Sequence, residues 1–250
     1  MHPILIKFGP FTVFSYGFML ALGFLLALGV AERRSRRSGL DPAAVQTLAL
    51  VCLIAGLVGG RLAYILLNLP IYTAQPLEVI RLDHGGLVFY GGLIFGILAG
   101  LLFVRIKRLP AWTTLDVMIP ALVLAHAVGR VGCFLNGCCY GTASTLPWAV
   151  LFPGDAVRRH PVQLYEAAAL LGIYFILRAV EKGRFRPGSL LFVYGLLYGI
   201  WRFFAEFLRA DNPRAAAGLT VFQWSSLVLI AVSALLLIAR VPRGSSASSS

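Results

Sequence analysis

Three arginines, Arg61, Arg130 and Arg202, lie inside long apolar stretches of this 250-residue chain. A charged side chain at membrane depth costs at least about 2.5–3.5 kcal/mol on insertion scales, so such residues are expected to serve a function. A guanidinium binds phosphate through paired, charge-assisted hydrogen bonds. The three arginines therefore predict a phosphate-binding site. The phosphate found at that depth of a membrane is that of a phospholipid headgroup. Snorkelling arginines and interhelical hydrogen bonds are the alternative explanation.

Spacings of three and four residues place two sets of polar residues on single helix faces. The first set, in the sixth apolar stretch, is Tyr198, Arg202, Glu206 and Arg209. The second set, in the fourth, is His126, Arg130, Cys133 and Gly137. The first spacing predicts an Arg202–Glu206 ion pair, either structural or orienting the arginine. His126 is interpreted as a buried, hydrogen-bonded histidine rather than as a catalyst.

The composition decides which elements must position these residues. Hydrophobic residues make up 59% of the chain and charged residues only 13%, against about 25% charged in soluble domains. This excludes a soluble enzyme, a disordered protein and a disulfide-stapled secreted domain. Because a span needs about 20 apolar residues, we predict an all-α integral membrane protein, a single domain over 1–240 with seven spans. They cover about 12–31, 46–67, 87–104, 114–138, 163–180, 188–208 and 220–239.

The two ends of the chain need separate interpretation. The first span lacks a basic segment before it and is followed by arginines rather than a cleavage site, so we expect a retained helix and not a signal peptide. Residues 241–250 are predicted to form a disordered tail, and part of their sequence resembles the remnant of a protease site.

The basic residues predict orientation. Of the 22 Lys and Arg, thirteen follow the first, third, fifth and seventh spans, whereas six lie on the opposite side. The positive-inside rule then puts the N-terminus outside and the C-terminus in the cytoplasm. The net charge of +12 is thereby explained without a nucleic-acid partner. This topology gathers polar residues from six spans in the outer half of the bilayer: Tyr16, Arg61, Tyr90, Arg130, Asn136, Gln163, Tyr165, Glu166, Arg202 and Glu206.

Three of the four cysteines form a Cys-x4-Cys-Cys cluster at the outer end of the fourth span, Cys133, Cys138 and Cys139. Zinc requires about four ligands, and no second Cys or His cluster follows, so no metal site is predicted. We interpret the cysteines as small packing residues. Since their side of the membrane is oxidising, a disulfide that involves Cys138 or Cys139 stays open.

At these residues the chain resembles the prolipoprotein diacylglyceryl transferases of bacteria, and the resemblance covers nearly its whole length. The matching motifs occur in the family's order, each on its expected span. They are Tyr16-Gly17, Gly59-Gly60-Arg61, Gly85–Gly92 (GGLVFYGG), Gly129–Gly137 (GRVGCFLNG), Arg159–Glu166 (RHPVQLYE) and Tyr198–Arg209.

The resemblance implies a reaction. The family moves the diacylglyceryl group of phosphatidylglycerol to the thiol of the lipobox cysteine of a preprolipoprotein. A thioether forms, glycerol phosphate leaves, and no metal or organic cofactor takes part. It also implies a multi-pass protein of the bacterial cytoplasmic membrane with its active site facing the outer leaflet. A related lipid transferase with another acceptor or lipid is the alternative. A transporter is disfavoured because no repeat and no midplane site are evident.

The resemblance also implies residue roles. Arg130 and Arg202 would hold the phosphate, Glu206 would orient Arg202, and Arg61 with Glu166 would shape the site. Hydrogen bonds to headgroup or glycerol would come from Tyr16, Asn136 and Tyr198. The remaining substrate-binding candidates are Cys133, His160, Gln163 and Arg209.

The chain departs from the family pattern at two positions. Cys133 stands where the family signature has its first asparagine, and the second departure is a catalytic candidate. Tyr90 stands where the family has a histidine that is often proposed as the base. Because the reference pKa of tyrosine is about 10, Tyr90 is a poor base unless it is perturbed. His84 or a second headgroup oxygen are the other candidates.

Overall fold

The computed structural model describes residues 1–9, 11–79, 86–183, 186–209 and 212–240. Within these ranges, seven helices are long and apolar enough to cross a membrane, which confirms the predicted fold class. The long helices are α1 (Ser15–Arg37), α2 (Pro42–Leu67), α4 (Phe89–Ile106), α5 (Ala111–Asn136), α6 (Val162–Val180), α7 (Ser189–Ala205) and α8 (Val221–Arg240). The short helix α3 (Leu69–Ala74) follows α2. His84, Arg184 and the predicted tail 241–250 lie outside the described residues.

The first helix begins and ends later than its apolar stretch suggested. It begins at Ser15 because the preceding residues form an antiparallel hairpin of β1 (Ile4–Phe8) and β2 (Phe11–Phe14), which hydropathy did not predict. It continues to Arg37 rather than stopping near residue 31. Arginine is a strong helix former, so a basic segment that is too polar for an apolar window can still extend the helix. Gly39, at a φ of +69°, follows its end.

The described residues fall into two compact units, and whether they form the predicted single domain stays a prediction. In the unit of Met1–Val30 and Leu115–Ser250, the apolar core joins α5, α6 and α7. Its fully buried members include Val123, Leu170 and Leu177. Helix α7 also packs closely on α8, where Gly195 leaves no room for a Cβ beside Ser233 Oγ. This packing holds the polar faces of α5, α6 and α7 together.

Helix α7 begins with help from α5. The carboxylate of Asp116 accepts hydrogen bonds from Gly188 N at 2.6 Å and Leu190 N at 3.1 Å. The first N–H groups of a helix have no partner within the helix and favour a negative charge. Asp116 therefore fixes the start of α7 against α5 at the end opposite to Arg202.

An ordered segment connects α5 to α6. It contains a short antiparallel pair, β3 (Val150–Leu151) and β4 (Arg158–Arg159), and is pinned by a bidentate ion pair in which Arg159 Nε and Nη2 each lie 2.8 Å from an Asp155 oxygen. The Arg159 guanidinium holds the pKa of Asp155 below its ordinary value. The segment returns the chain to the start of α6, where the RHPVQLYE motif begins.

The second unit, Ala31–Thr114, is built on α2 and α4. Their backbones approach so closely that a Cβ added at Gly91 would lie 2.5 Å from the Gly59 carbonyl oxygen. Glycine in a membrane helix permits such an approach. The Gly-Gly pairs of the second and third spans therefore serve helix packing.

Candidate functional site

The centre of the site is an ion pair between α5 and α6. Arg130 Nη2 lies 3.0 Å from Glu166 Oε1, and the Glu166 side chain is only 1% exposed. The same oxygen accepts a hydrogen bond from the Tyr198 hydroxyl of α7 at 3.0 Å. His126, one turn before Arg130, has its Nε2 3.6 Å from that oxygen and its ring beside Tyr198. Three helices thus meet at one buried carboxylate oxygen.

A second ion pair lies where α7 ends. Arg202 Nη2 is 2.8 Å from Glu206 Oε2, at the predicted spacing of four residues. Glu206 Oε1 accepts hydrogen bonds from Asn212 Nδ2 at 2.6 Å and Thr220 Oγ1 at 2.9 Å, and the Arg202 guanidinium lies over the Phe222 ring. The chain at the start of α8 therefore fixes the carboxylate, which fixes the arginine.

Each of the two arginines has a guanidinium N–H group that can still bind a ligand. Among the described residues, Arg130 Nε and Arg202 Nη1 are buried donors without a hydrogen-bond partner. Tyr198, which donates to Glu166, lies one turn before Arg202 on α7, so the two ion pairs are neighbours along that helix. Buried polar groups are nearly always satisfied, so an unpaired pair of guanidinium N–H groups points to an anionic ligand.

The C-terminal end of α5 adds a cluster of sulfur atoms. The Sγ atoms of Cys133, Cys138 and Cys139 all lie within 4.8 Å of one another. All three are free thiols, so the disulfide left open from the sequence is not formed. Gln163, fully buried at the start of α6, donates from Nε2 to the Cys138 carbonyl at 2.5 Å. Tyr16 of α1 packs against α5 next to Cys133, since a Cβ added at Gly132 would lie 3.4 Å from the Tyr16 ring.

Two predicted binding residues belong instead to the connecting segments. His160 Nδ1 lies 3.3 Å from the Tyr165 hydroxyl, which also accepts a hydrogen bond from Trp148 Nε1 at 2.7 Å. Arg209 follows the 3-10 turn Glu206–Leu208. A hollow of about 660 Å³ opens beside His160, lined by Ala143, Ser144, Thr145, Val157, Arg158 and His160.

Two further candidates, Arg61 and Tyr90, lie in the second unit. Arg61 is 6% exposed and donates from Nε to the Val79 carbonyl at 3.2 Å and from Nη1 to the Gly86 carbonyl at 3.3 Å. Its guanidinium also lies 5.4 Å from the centre of the Tyr72 ring. Arg61 thus braces the chain on either side of 80–85. Tyr90 is 58% exposed in the first turn of α4 and packs edge-on to Phe89. Their functional roles stay predictions.

The structure therefore brings together eight of the predicted residues: Tyr16, Arg130, Cys133, Gln163, Glu166, Tyr198, Arg202 and Glu206. Asn136 is the last residue of α5, and its role stays a prediction. The sequence did not indicate that Glu166 would pair with Arg130, nor that Asn212 and Thr220 would bind Glu206. Such contacts join different helices and leave no spacing signal in the chain. His126 was interpreted as buried and hydrogen-bonded, but its side chain is 29% exposed and its Nε2 faces the central carboxylate at 3.6 Å. Its place four residues before Arg130 was the available signal.

Fold and site together define a polytopic helical membrane protein with a buried site suited to an anionic group. Comparison with known families is more specific. A family model described as prolipoprotein diacylglyceryl transferase matches residues 3–239. The chain belongs to this family, which confirms the resemblance seen in its motifs.

Individual relatives agree with this assignment. The chain is 36% identical over 246 residues to the phosphatidylglycerol–prolipoprotein diacylglyceryl transferase of Bordetella parapertussis. The aligned region covers 94% of this chain and 93% of the relative. The chain is 31% identical over 237 residues to the enzyme of that name from Clostridium tetani, covering 93% and 95%. The Geobacter sulfurreducens enzyme is 36% identical over 226 residues, covering 88% and 85%.

Proposed function

We propose that this protein transfers the diacylglyceryl group of phosphatidylglycerol to the thiol of a lipobox cysteine in a preprolipoprotein. The relatives' names give the two substrates. The observation that carries the proposal is the pair of buried arginines, each held by a carboxylate and each with an unpaired donor atom. A lipid phosphodiester is an acceptor that such donors fit.

The proposed chemistry is a displacement at the carbon of the diacylglycerol part that is bonded to the phosphate oxygen. The acceptor thiol loses its proton and its sulfur forms the new C–S bond, while the C–O bond breaks and the electron pair leaves with glycerol phosphate. The departing phosphate gains negative charge as the bond breaks. Fixed guanidiniums at Arg130 and Arg202 stabilise that charge without having to reorganise.

The ion pairs prepare the arginines for this role. Each arginine is neutralised by its own glutamate, so both guanidiniums can be kept at membrane depth in the absence of lipid. Tyr198 and His126 hold Glu166, as Thr220 and Asn212 hold Glu206. These neighbours are positioning residues, whereas Arg130 and Arg202 touch the reacting phosphate.

The acceptor peptide is proposed to dock on the segment between α5 and α6. The 660 Å³ hollow beside His160 is formed by this segment, and its lining mixes small, apolar and basic side chains. With the N-terminus outside, as the basic residues predict, this segment faces the outer surface of the bacterial cytoplasmic membrane. The site then opens to the outer leaflet, where a secreted preprolipoprotein emerges.

An assay with purified protein, phosphatidylglycerol and a lipobox peptide tests the proposal. We expect the peptide to gain one diacylglyceryl group by mass spectrometry and glycerol phosphate to appear in equal amount. A peptide with serine in place of the lipobox cysteine and vesicles of phosphatidylethanolamine are the matched controls. An unmodified peptide, under conditions in which the Geobacter sulfurreducens relative modifies it, would refute the activity. Transport of lipid without peptide modification would favour a transporter.

A further inference from the structure

Two buried oxygen atoms in the first turns of α6 have no hydrogen-bond partner. In the part of the chain that the structure describes, Gln163 Oε1 and Glu166 Oε2 receive no hydrogen bond, and both residues are 1% exposed. The other polar atom of each side chain is engaged, since Gln163 Nε2 donates to the Cys138 carbonyl at 2.5 Å and Glu166 Oε1 binds Arg130. A buried acceptor without a donor costs free energy, so native proteins rarely leave one unpaired. The two oxygens therefore indicate a ligand with O–H or N–H donors.

The two acceptors lie on one face of α6. Residues three positions apart on a helix are neighbours, with Cβ atoms about 5–6 Å apart. This face is turned toward α5, because Gln163 reaches the chain just after α5 and Glu166 reaches Arg130 within it. Two adjacent hydroxyl groups of one ligand can span the two oxygens, with an O–H···O bond of about 2.7 Å to each.

The unpaired acceptors lie beside the unpaired guanidinium donors. Glu166 Oε2 belongs to the carboxylate that binds Arg130, and Arg130 Nε is itself unpaired, as is Arg202 Nη1 on α7. Two further buried atoms of α7 and its end lack a hydrogen bond among the described residues, Trp201 Nε1 and Glu206 Oε2, although Glu206 Oε2 is in the ion pair with Arg202. The site thus offers cationic donors for an anion next to acceptors for neutral donors.

The headgroup of phosphatidylglycerol carries the complementary set of groups. Its phosphate is an anionic acceptor, and its glycerol has two free hydroxyl groups on adjacent carbons. An ethanolamine headgroup would bring an ammonium against Arg130, a serine headgroup would bring a carboxylate against Glu166, and choline has no donor. Like charges repel strongly in a buried site. Of these four headgroups, glycerol alone supplies two neutral donors.

We propose that Gln163 and Glu166 select the glycerol headgroup of the lipid. Gln163 Oε1 and Glu166 Oε2 each accept a hydrogen bond from one of the two free hydroxyls, while Arg130 and Arg202 hold the phosphate. This inference rests on the proposed function and adds the residues that determine its lipid specificity. A site built to bind a hydroxyl rejects an analogue that lacks it, because the buried acceptor is then left unpaired.

The test compares two lipids that differ only in the hydroxyl groups. Phosphatidylpropanol has the acyl chains, phosphate and charge of phosphatidylglycerol, but its headgroup has no free hydroxyl. We expect the wild-type protein to use phosphatidylglycerol with a kcat/KM at least about 10²-fold higher. Both lipids give the same diacylglyceryl peptide, so one mass-spectrometric product measures the ratio. Equal kcat/KM for the two lipids would overturn the proposal.

Gln163→Met tests the first acceptor against a matched control. The substitution removes the unpaired oxygen but keeps a side chain of similar length, and we expect the ratio to fall at least about tenfold. Gln223→Met changes another buried glutamine, whose Oε1 already accepts a hydrogen bond from Thr220 N at 3.0 Å. A structural defect slows transfer from both lipids alike, so Gln223→Met should leave the ratio unchanged. The same ratio in wild type and Gln163→Met would refute the role of Gln163.

Glu166→Gln tests the second acceptor. Arg130 and Tyr198 both donate to Oε1, so the amide oxygen is expected at that position and the amide nitrogen at the position of Oε2. A nitrogen that carries two hydrogens cannot accept a hydrogen bond. The ratio of the two lipids should therefore fall at least about tenfold, as in Gln163→Met. Equal slowing of both lipids would show that Glu166 does not bind the headgroup.

Lipid binding without the peptide separates this inference from the transfer reaction. Purified protein in detergent is mixed with equal amounts of the two lipids, and the bound lipid is identified by native mass spectrometry. We expect phosphatidylglycerol to be enriched at least about tenfold on the wild type and much less on Gln163→Met. Enrichment without any transfer would refute the transferase and leave the headgroup site standing. Transfer from both lipids at equal rates, without enrichment, would refute the headgroup site alone.

Discussion

At the scale of single residues, burial decides how the arginines behave. The side chains of Arg130 and Arg202 are 20% and 14% exposed, and their partners Glu166 and Glu206 are 1% and 0% exposed. A buried ion pair contributes little net stability, but removal of one partner leaves an uncompensated buried charge. The pairs are therefore better explained by the need for a fixed guanidinium than by stability.

Lysine at either arginine should preserve the fold and impair transfer. Arg130→Lys and Arg202→Lys keep the charge that faces the glutamate but lose the planar set of donors that binds phosphate. We expect kcat/KM to fall about 10²–10³-fold, the effect of losing one preorganised donor to a developing charge. The transfer assay measures this, with Arg105→Lys at the end of α4 as the control. Near-normal activity in both site variants would contradict the phosphate role.

Glu166→Gln separates positioning from stability. It keeps the shape of the side chain but leaves Arg130 without its counter-charge, so the free energy of unfolding should fall by about 3 kcal/mol. A double change, Arg130→Met with Glu166→Leu, should recover that stability and remain inactive. Unfolding in denaturant and the transfer assay give the two readouts. A fully active double variant would show that neither charge takes part.

At the scale of elements, the site depends on how the ends of helices are fixed. Asp116 of α5 holds the start of α7, and Thr220 at the start of α8 holds Glu206 just after α7 ends. Helix α7 is thus attached at both ends by residues that do not bind substrate themselves. The two attachments fix the axial position and the rotation of α7, and therefore the positions of Tyr198 and Arg202.

Asp116→Ala should loosen α7 without touching the site. The substitution leaves two helix N–H groups without their acceptor, and loss of a capping carboxylate costs about 1–2 kcal/mol. We expect a lower free energy of unfolding and faster hydrogen exchange over 188–192, measured by mass spectrometry. Asp41→Ala, which removes the cap of α2, is a matched control that should lose stability with no change at α7. Unchanged exchange at α7 would contradict the capping role.

At the scale of the whole molecule, orientation in the membrane decides where the reaction occurs. Helix α1 carries Arg34, Arg36 and Arg37 in its last turn, and α4 and α8 end at Arg105 and Arg240. Basic residues at these ends favour the cytoplasmic side. This orientation is a prediction, and it would put the segment between α5 and α6, with its hollow, on the opposite side.

Reporter fusions check this orientation. Alkaline phosphatase, which is active only outside the cytoplasm, should be active when fused after Ser144 and inactive when fused after Lys107. Green fluorescent protein fused after Arg240 should fluoresce. The inverse pattern would place the site on the cytoplasmic leaflet and remove the access of secreted preprolipoproteins to it.

Much of the architecture was predictable from the chain alone. Apolar runs of about 20 residues must form helices in a membrane, since backbone polar groups have no other partners there. Seven such runs, and motifs such as GRVGCFLNG, predicted the fold class and the family. The Arg202–Glu206 pair followed from a helical spacing of four. The hairpin before α1 was not predicted, because its residues are as apolar as the helix that follows.

Only the tertiary structure decided which partners meet across helices. Arg130 and Glu166 are 36 residues apart, and their pairing depends on the relative rotation of α5 and α6, which hydropathy does not encode. The sulfur cluster likewise depends on a left-handed turn at Cys139 that follows the last residue of α5. The sequence predicted that arginines and cysteines lie near one membrane surface, because the position of a residue in its apolar run predicts its depth. The packing of side chains between helices then determined which of them share a site.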